Sequence, residues 1–358
     1  MKKESKIFVA GHRGLVGSAI TEALERRGYN NLIQKTHAHL DLEDQRAVAD
    51  FFASEKPDFV FLAAAKVGGI LANNTYPADF IYRNLAIQNH VIQSAWKHGV
   101  KRLIFLGSSC IYPRDCPQPI KESYLLNGPL EPTNRSYAVA KIAGIEMCWA
   151  YNRQYGTQFM PVMPTNLYGP GDNYDLQTSH VLPAIIRKCH LAKLAQQGDV
   201  TGIKADEISV GPIPAEVKAA LGVNPAISQM DVAVSPAPIF WGTGSVRREF
   251  LYSADMADAC IHIMSLPERI FRQFLNEAEP PLINIGCGTD QTIAECVDLV
   301  RDVVGYDGDV IWDRDKPDGT PQKLLNTKKL TELGWQPRIN LKEGLKSAYL
   351  DYLDRIAI

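Results

Sequence analysis

Residues 6–28 constrain the fold of this chain more than any other stretch. Lys6-Ile7-Phe8-Val9-Ala10 is a short, partly β-branched apolar run that stops at Gly11. Gly11-His12-Arg13-Gly14-Leu15-Val16-Gly17 follows, and then Ser18 to Arg27 with helical composition and Gly28 as a stop. Strand, glycine-rich turn and helix in that order make the phosphate-binding corner of a dinucleotide fold. The glycines permit a tight turn and close backbone approach, and the helix N-terminus faces the pyrophosphate. The spacing is G-x-x-G-x-x-G rather than the commoner G-x-G-x-x-G, so the flanking strand and helix carry much of the signal.

Further strands and helices alternate through the first half of the chain. Strands are predicted at 31–36, 58–65 and 102–106, and helices at 44–54 and 79–98. This alternation predicts a doubly wound parallel α/β sheet. A chain that prefers NAD usually carries an acidic residue at the end of the second strand, to hold the ribose 2′-hydroxyl. Here Thr36-His37 stands there and Arg13 lies in the glycine turn, where a guanidinium can pair with a 2′-phosphate, so NADP is favoured. Asp41 is read either as a contact for the adenine edge or as the cap of helix 44–54.

The strand at 102–106 runs into Gly107-Ser108-Ser109-Cys110-Ile111-Tyr112-Pro113. In such sheets ligands bind at the carboxyl ends of strands, which places the serine pair at an active site. Downstream, Asn134-Arg135-Ser136-Tyr137-Ala138-Val139-Ala140-Lys141 sets a tyrosine and a lysine one helical turn apart on one face. A lysine cation there is expected to favour the phenolate and lower the tyrosine pKa, fitting Tyr137 for proton transfer.

Glycine turn, serine and Tyr-x-x-x-Lys together resemble the extended short-chain dehydrogenase/reductase superfamily. Met163-Pro164-Thr165-Asn166-Leu167-Tyr168-Gly169-Pro170, Ser179-His180-Val181-Leu182-Pro183-Ala184 and Lys316-Pro317-Asp318-Gly319-Thr320-Pro321 are similar to stretches of its GDP-L-fucose synthase family, the GDP-4-keto-6-deoxy-mannose epimerase/reductases. The resemblance implies a Rossmann doubly wound sheet with a smaller C-terminal α/β substrate domain. It implies that Ser108 meets the substrate keto oxygen, Tyr137 transfers a proton and Lys141 holds the nicotinamide ribose. Cys110 and His180 become the acid-base pair for epimerisation. Gly11, His12, Arg13, Gly14, Leu15, Val16, Gly17, His37, Asp41, Leu42, Leu106, Gly107, Ser108, Ser109 and Lys141 would line the NADP site. Pro164, Thr165, Asn166, Leu167 and His180 would complete it on the nicotinamide side. Lys188, Trp241, Arg248 and Asp318 would surround the GDP-linked 4-keto sugar. The same family has a homodimer built on a four-helix bundle, here from helices expected at 79–98 and 137–154. It often carries an arginine where this chain has His37, which weakens the 2′-phosphate site.

That chemistry is sensible on its own terms. Protons at C3 and C5 flank a C4 ketone, so removing either gives an enolate that a hydrogen-bond donor can hold. Inversion needs protonation from the opposite face, hence two acid-base groups besides the tyrosine. Taken alone, Cys110 reads as a small buried hydrophobe, the commonest fate of a free cysteine, and His180 as a satisfied core histidine.

The expected division is 1–173 with 239–265 for NADP and 174–238 with 266–358 for substrate. Residues 195–238 form an insertion relative to the typical family member, read as surface decoration or a subunit contact; Pro214–Leu221 is a short helix candidate there. Net charge is −2 with no dense basic block, which argues against nucleic acid. No apolar run reaches membrane-spanning length, and the seven cysteines show neither C-x-x-C pairing nor metal spacing, as expected of free thiols in the cytoplasm. Rival readings are a C4 reductase, or epimerase/reductase, of another GDP-4-keto sugar such as a heptose, and a non-catalytic dinucleotide sensor. A 4,6-dehydratase would carry an acidic pair where Ser109-Cys110 stands.

Arg13→Ala is expected to weaken NADPH binding much more than NADH binding, measured by fluorescence titration of each. Equal losses would remove Arg13 from a 2′-phosphate site.

Overall fold

The computed structural model describes residues 1–231, 233–275, 278–316 and 318–356. Val232 of the expected insertion, Pro317 of the Lys316–Pro321 motif, and residues 276, 277, 357 and 358 of the expected substrate domain lie outside the described residues. The chain divides into two compact units. The first comprises 1–167, 249–288 and 324–338, and the second 168–248, 289–323 and 339–358.

The first unit is built on β1 (Ile7–Ala10), α1 (Leu15–Arg26), β2 (Leu32–Ile33), α2 (Gln45–Glu55), β3 (Phe59–Leu62), β4 (Arg102–Leu106) and β5 (Phe159–Pro164). A sixth strand, Ile283–Ile285, returns from much later in the chain. The order is β2-β1-β3-β4-β5 and then Ile283–Ile285, with every neighbouring pair parallel. The chain therefore steps from β1 to one flank and comes back to the other as β3. That reversal is where doubly wound sheets open a crevice for ligands.

Side-chain alternation explains why β1 is apolar at every position. Ile7 and Val9 face one cluster, which holds Ala19, Ile20 and Leu24 of α1 with Met256 and Ile261. Phe8 and Ala10 face the other, with Val48, Phe51 and Phe52 of α2 and Val91 and Ile92. Both faces are covered, so a continuous hydrophobic run replaces the half-buried alternation. Phe8 meets Phe51 and Phe52 at ring separations of 4.7 and 5.9 Å. At the sheet edge β2 pairs over two residues only, much shorter than the strand expected at 31–36.

Helix α2 is capped by Asp44, whose Oδ1 accepts from the Arg46 and Ala47 amides at 2.8 and 3.0 Å. Asp41, the capping alternative raised above, instead accepts from the Glu43 amide at 2.9 Å in the preceding turn.

The second unit packs helices Val181–Gln196, Val200–Val210, Ile293–Val304 and Leu341–Ile356 with short parallel pairings. Ile239–Trp241 pairs with Ile311–Asp313, and Arg247–Arg248 with Gln322–Lys323. Residues 239–248 thus belong with the second unit. Residues 266–288 and 324–338, expected in the substrate domain, belong with the first, because Ile283–Ile285 completes its sheet.

The expected insertion is tied into this unit's core. Arg187 and Asp206 are both fully buried. The Arg187 Nε donates to Asp206 Oδ1 at 2.9 Å, its Nη2 lies 2.7 Å from the same oxygen, and the Tyr352 hydroxyl donates to Oδ2. A dry carboxylate–guanidinium pair tolerates no loose partner, so the helix carrying Asp206 is structural rather than decorative. The short helix found at Ala215–Ala220 has Pro214 at its N-cap.

Candidate active site

Two groups of the sequence-predicted residues assemble, one in each unit. In the first unit β1 ends at Gly11, whose φ of +84° favours glycine. A Cβ there would stand 2.7 Å from the Ala64 nitrogen, and one on Gly17 would stand 2.0 Å from the Gly11 oxygen. Glycine is therefore required at both places by close backbone packing. Gly14, at the N-cap of α1, makes no side-chain cap, so the first-turn amides of the helix lack a capping side chain. An uncapped N-terminus beside a tight glycine turn fits a dinucleotide pyrophosphate. His12 is half-buried and Arg13 exposed beside it. Desolvation and then the Arg13 charge lower the His12 pKa. His37 is exposed, with Nδ1 3.6 Å from Asp41 Oδ1, so these two face one another after β2.

At the end of β4 the backbone turns through Gly107 into a 3₁₀ segment, Ser109–Ile111, with Ser108 at its N-cap. A Cβ on Gly107 would displace the end of the Met163 side chain. Ser109 and Cys110 are buried. The helix Arg135–Tyr155 presents Tyr137 and Lys141 to this turn, as the four-residue spacing requires.

Lys141 is buried, and its Nζ donates to the Leu106 carbonyl at 2.8 Å. It lies 4.9 Å from the Phe105 ring centroid and 5.7 Å from that of Tyr137. Burial lowers its pKa to about 8, against the opposing influence of Cys110. Burial raises the Tyr137 pKa well above the ordinary phenol range, Cys110 adds to this, and the Ser108 hydroxyl opposes it. The Tyr137 shift thus runs opposite to the sequence expectation, because desolvation dominates and Lys141 is not among the groups that set it.

Pro164 ends β5, and Thr165, Asn166 and Leu167 follow. Leu42 is half-buried on the other side of the sheet, packed against that side's core cluster. Leu106 is the last residue of β4.

The second group lies wholly in the second unit. Lys188 Nζ donates to the Ile239 carbonyl at 2.7 Å and sits 5.5 Å from the Phe240 ring. Desolvation lowers its pKa, while Glu216 of the Ala215–Ala220 helix works against that. Trp241 is exposed, with Lys316 Nζ 5.6 Å from its ring. Asp318 accepts from the Thr243 amide at 2.7 Å and from its hydroxyl at 2.9 Å, so this carboxylate also fastens the turn after Trp241. A Cβ on Gly319 would lie 3.6 Å from Arg248 Nη2, which puts that guanidinium beside the residue that follows Asp318. Burial lowers the Arg248 pKa.

His180, the other predicted acid-base residue, belongs to this unit and stands at the N-cap of Val181–Gln196 without capping it through its side chain. It keeps solvent contact, yet the protein around it desolvates the ring and lowers its pKa, favouring the neutral imidazole.

Sequence reasoning passed over Asn84, which is buried on the helix Pro77–Lys97. Its Oδ1 accepts from the Lys66 amide and its Nδ2 donates to the Lys66 carbonyl, both at 3.0 Å, fixing the segment after β3. An asparagine spaced with Phe80, Ile87 and Val91 on the buried face was the available signal.

The buried cation gives a test of its own. Below about pH 8 folded and unfolded chains both carry the Lys141 proton, and the folded state bears the cost of burying it. Above that value the unfolded chain binds more protons, so this cost is relieved as pH rises towards the ordinary lysine range. Lys141→Met is expected to raise the urea midpoint at pH 7, with the gain fading between pH 8 and about 10.5. A lowered midpoint at pH 7 would contradict a charged, desolvated Lys141.

The NAD dependent epimerase/dehydratase family matches residues 7–204 and 222–286. Residues 205–221, which carry Asp206 and Glu216, fall outside that match. GDP-L-fucose synthase 1 of Arabidopsis thaliana is 50% identical over 354 residues, covering 99% of this chain and 95% of its own. GDP-L-fucose synthase of Escherichia coli (strain K12) is 47% identical over 353 residues, covering 98% of this chain and 97% of its own. Among solved structures, a GDP-mannoheptose C4 reductase from Campylobacter jejuni with NADP bound superposes with a TM-score of 0.81 at 40% identity, each chain covered to 99%. With the glycine turn, the serine at the end of β4 and the Tyr-x-x-x-Lys helix in place, the chain belongs to the NAD dependent epimerase/dehydratase family, in the branch of the GDP-L-fucose synthases.

Proposed function

We propose that this chain is an NADP-dependent 3,5-epimerase/4-reductase that converts GDP-4-keto-6-deoxy-D-mannose to GDP-L-fucose. The observation that carries the reading is the cluster of Ser108, Cys110, Tyr137 and Lys141 at the end of β4. A simple dinucleotide sensor has no use for a thiol, a phenol and a buried cation in one place. Bound NADPH supplies the hydride that reduces C4. NADP is preferred because Thr36-His37 stands where an acidic ribose partner would otherwise be found, and Arg13 in the glycine turn can pair with a 2′-phosphate.

In this reading Ser108 donates a hydrogen bond to the C4 oxygen and holds the enolate that forms when a proton leaves C3 or C5. Cys110 exchanges protons at those carbons and His180 supplies the second acid-base group that inversion requires. Its lowered pKa keeps His180 neutral near pH 7, with one nitrogen able to donate and the other to accept. Tyr137 delivers a proton to the C4 oxygen as that oxygen gains negative charge, and its raised pKa keeps it protonated until then. Lys141 holds the nicotinamide ribose. Lys188, Trp241, Arg248 and Asp318 hold the GDP-linked sugar, the two cations serving the diphosphate and the indole a ring face.

A homodimer through helices Pro77–Lys97 and Arg135–Tyr155 accompanies this reading. Tyr82, Val139 and Tyr155 are exposed on them, and Trp96 stacks on Tyr155 at 4.1 Å. Among the described residues no helix is long and apolar enough to cross a membrane, and a cytoplasmic location suits an NADPH consumer. The likeness to the GDP-mannoheptose C4 reductase supports a second reading, reduction at C4 of another GDP-4-keto sugar without double inversion.

Cys110→Ala separates the two. Deuterium uptake from D2O at C3 and C5 is expected to stop while NADPH oxidation continues and an uninverted reduced sugar accumulates. Tyr137→Phe is expected to cut reduction by at least ~10²-fold, the scale of a lost general acid. Should Cys110→Ala exchange and invert both centres at the wild-type rate, Cys110 is a packing residue and the epimerase half fails.

A further inference from the structure

We propose that Glu249 is a positioning residue for hydride transfer, fixing the Pro164–Leu167 segment from beneath. This rests on the reading above, in which that segment faces the nicotinamide. Glu249 is fully buried in the first unit. Its backbone carbonyl accepts from the Thr165 hydroxyl at 3.1 Å and from the Asn166 side-chain amide at 3.0 Å. Two consecutive side chains of the segment are thereby anchored to one peptide oxygen. Thr165 is also held through its own amide, which donates to Ile285 at 3.0 Å.

The carboxylate fixes that peptide in turn. Oε1 accepts from the Gly288 amide at 2.7 Å and Oε2 from the Leu325 amide at 2.9 Å. It therefore clamps the turn after the sixth strand to the chain that follows Lys323. The fit leaves no slack, because a Cβ on Gly286 would stand 2.3 Å from Oε1. Among the described residues no cation pairs with Glu249. Burial raises its pKa, while the Leu325, Gly288 and Cys287 amides and the Thr165 hydroxyl pull it down.

Both oxygens face N–H donors, so the site demands an acceptor at each position. Glutamine has the same shape but must turn its NH₂ towards one of those amides. An isosteric change therefore loosens the clamp without creating a cavity. Near-attack geometry is sensitive to displacements of about 1 Å, and a loosened nicotinamide-side segment slows hydride transfer before it affects anything else. Proton exchange at C3 and C5 involves neither the nicotinamide nor this segment, and should be spared.

The test compares Glu249→Gln with wild type in NADPH oxidation, in the primary isotope effect with 4-deuterated NADPH, and in solvent deuterium exchange into the substrate. The expected result is a roughly tenfold or greater loss in kcat, an isotope effect larger than wild type, and exchange within about twofold of wild type. Thr165→Val, which removes the hydroxyl that donates to the Glu249 carbonyl and also bonds its carboxylate, is expected to raise the isotope effect as well. It keeps the question open to refutation should Glu249→Gln fail to fold. Exchange and reduction falling together with an unchanged isotope effect would make Glu249 merely structural. Wild-type kinetics in Glu249→Gln, or an unchanged isotope effect in Thr165→Val, would also overturn the proposal. Failure of the wild-type chain to oxidise NADPH with any GDP-4-keto sugar would instead overturn the underlying reading.

Discussion

Lys141 carries an ammonium group into the interior of the first unit, and the arrangement around it follows from that charge. Desolvating such a group costs several kcal/mol unless partners replace its water. The partners here are the last carbonyl of β4 and the rings of Phe105 and Tyr137. Holding them in place takes a parallel strand with both faces covered, a helix entering at one angle, and small residues where the two approach. Gly144, one turn beyond Lys141, sits where a Cβ would strike Phe105 at 2.4 Å. A buried cation paired with a carbonyl and two rings, with no carboxylate beside it among the described residues, is why this point in the sheet is read as the chemical centre.

The corner that receives a dinucleotide was legible because backbone geometry demands particular residues there. Gly11 and Gly17 stand against main-chain atoms that leave no room for a side chain, so the motif is a steric record of the fold. The Tyr137–Lys141 pair was legible for a related reason, since helical periodicity places it on one face. The direction of the Tyr137 shift was not legible. It depends on how much protein surrounds the phenol, and burial depth is a property of tertiary packing rather than of spacing.

Other features were hidden because they are long-range in sequence. Nothing local tells that Ile283–Ile285 joins β5 in the sheet, and hence that residues 266–288 and 324–338 belong with the first unit. Asp206 likewise reads as an unremarkable acid in a helix of mixed composition until Arg187 and Tyr352 are seen to enclose it. Residues 205–221, which include it, fall outside the family match, yet Asp206 contributes a buried charge to the second unit's core. Glu249 was hidden in the same way, lying in a strand whose neighbouring arginines draw attention first.

The second unit supplies the residues that the proposal gives to the nucleotide sugar, and its turn after Trp241 is fastened by Asp318 rather than left open. A fixed platform of that kind suits recognition of a rigid nucleotide, whereas the sugar's stereochemistry is decided where protons move. The most direct test of the account is the product itself. Wild-type chain, NADPH and GDP-4-keto-6-deoxy-D-mannose are incubated in D2O and the product is examined by NMR. The account predicts GDP-L-fucose with deuterium at C3 and C5 and an unlabelled hydride at C4. A C4-reduced sugar of unchanged C3 and C5 configuration, free of deuterium at both carbons, would contradict it.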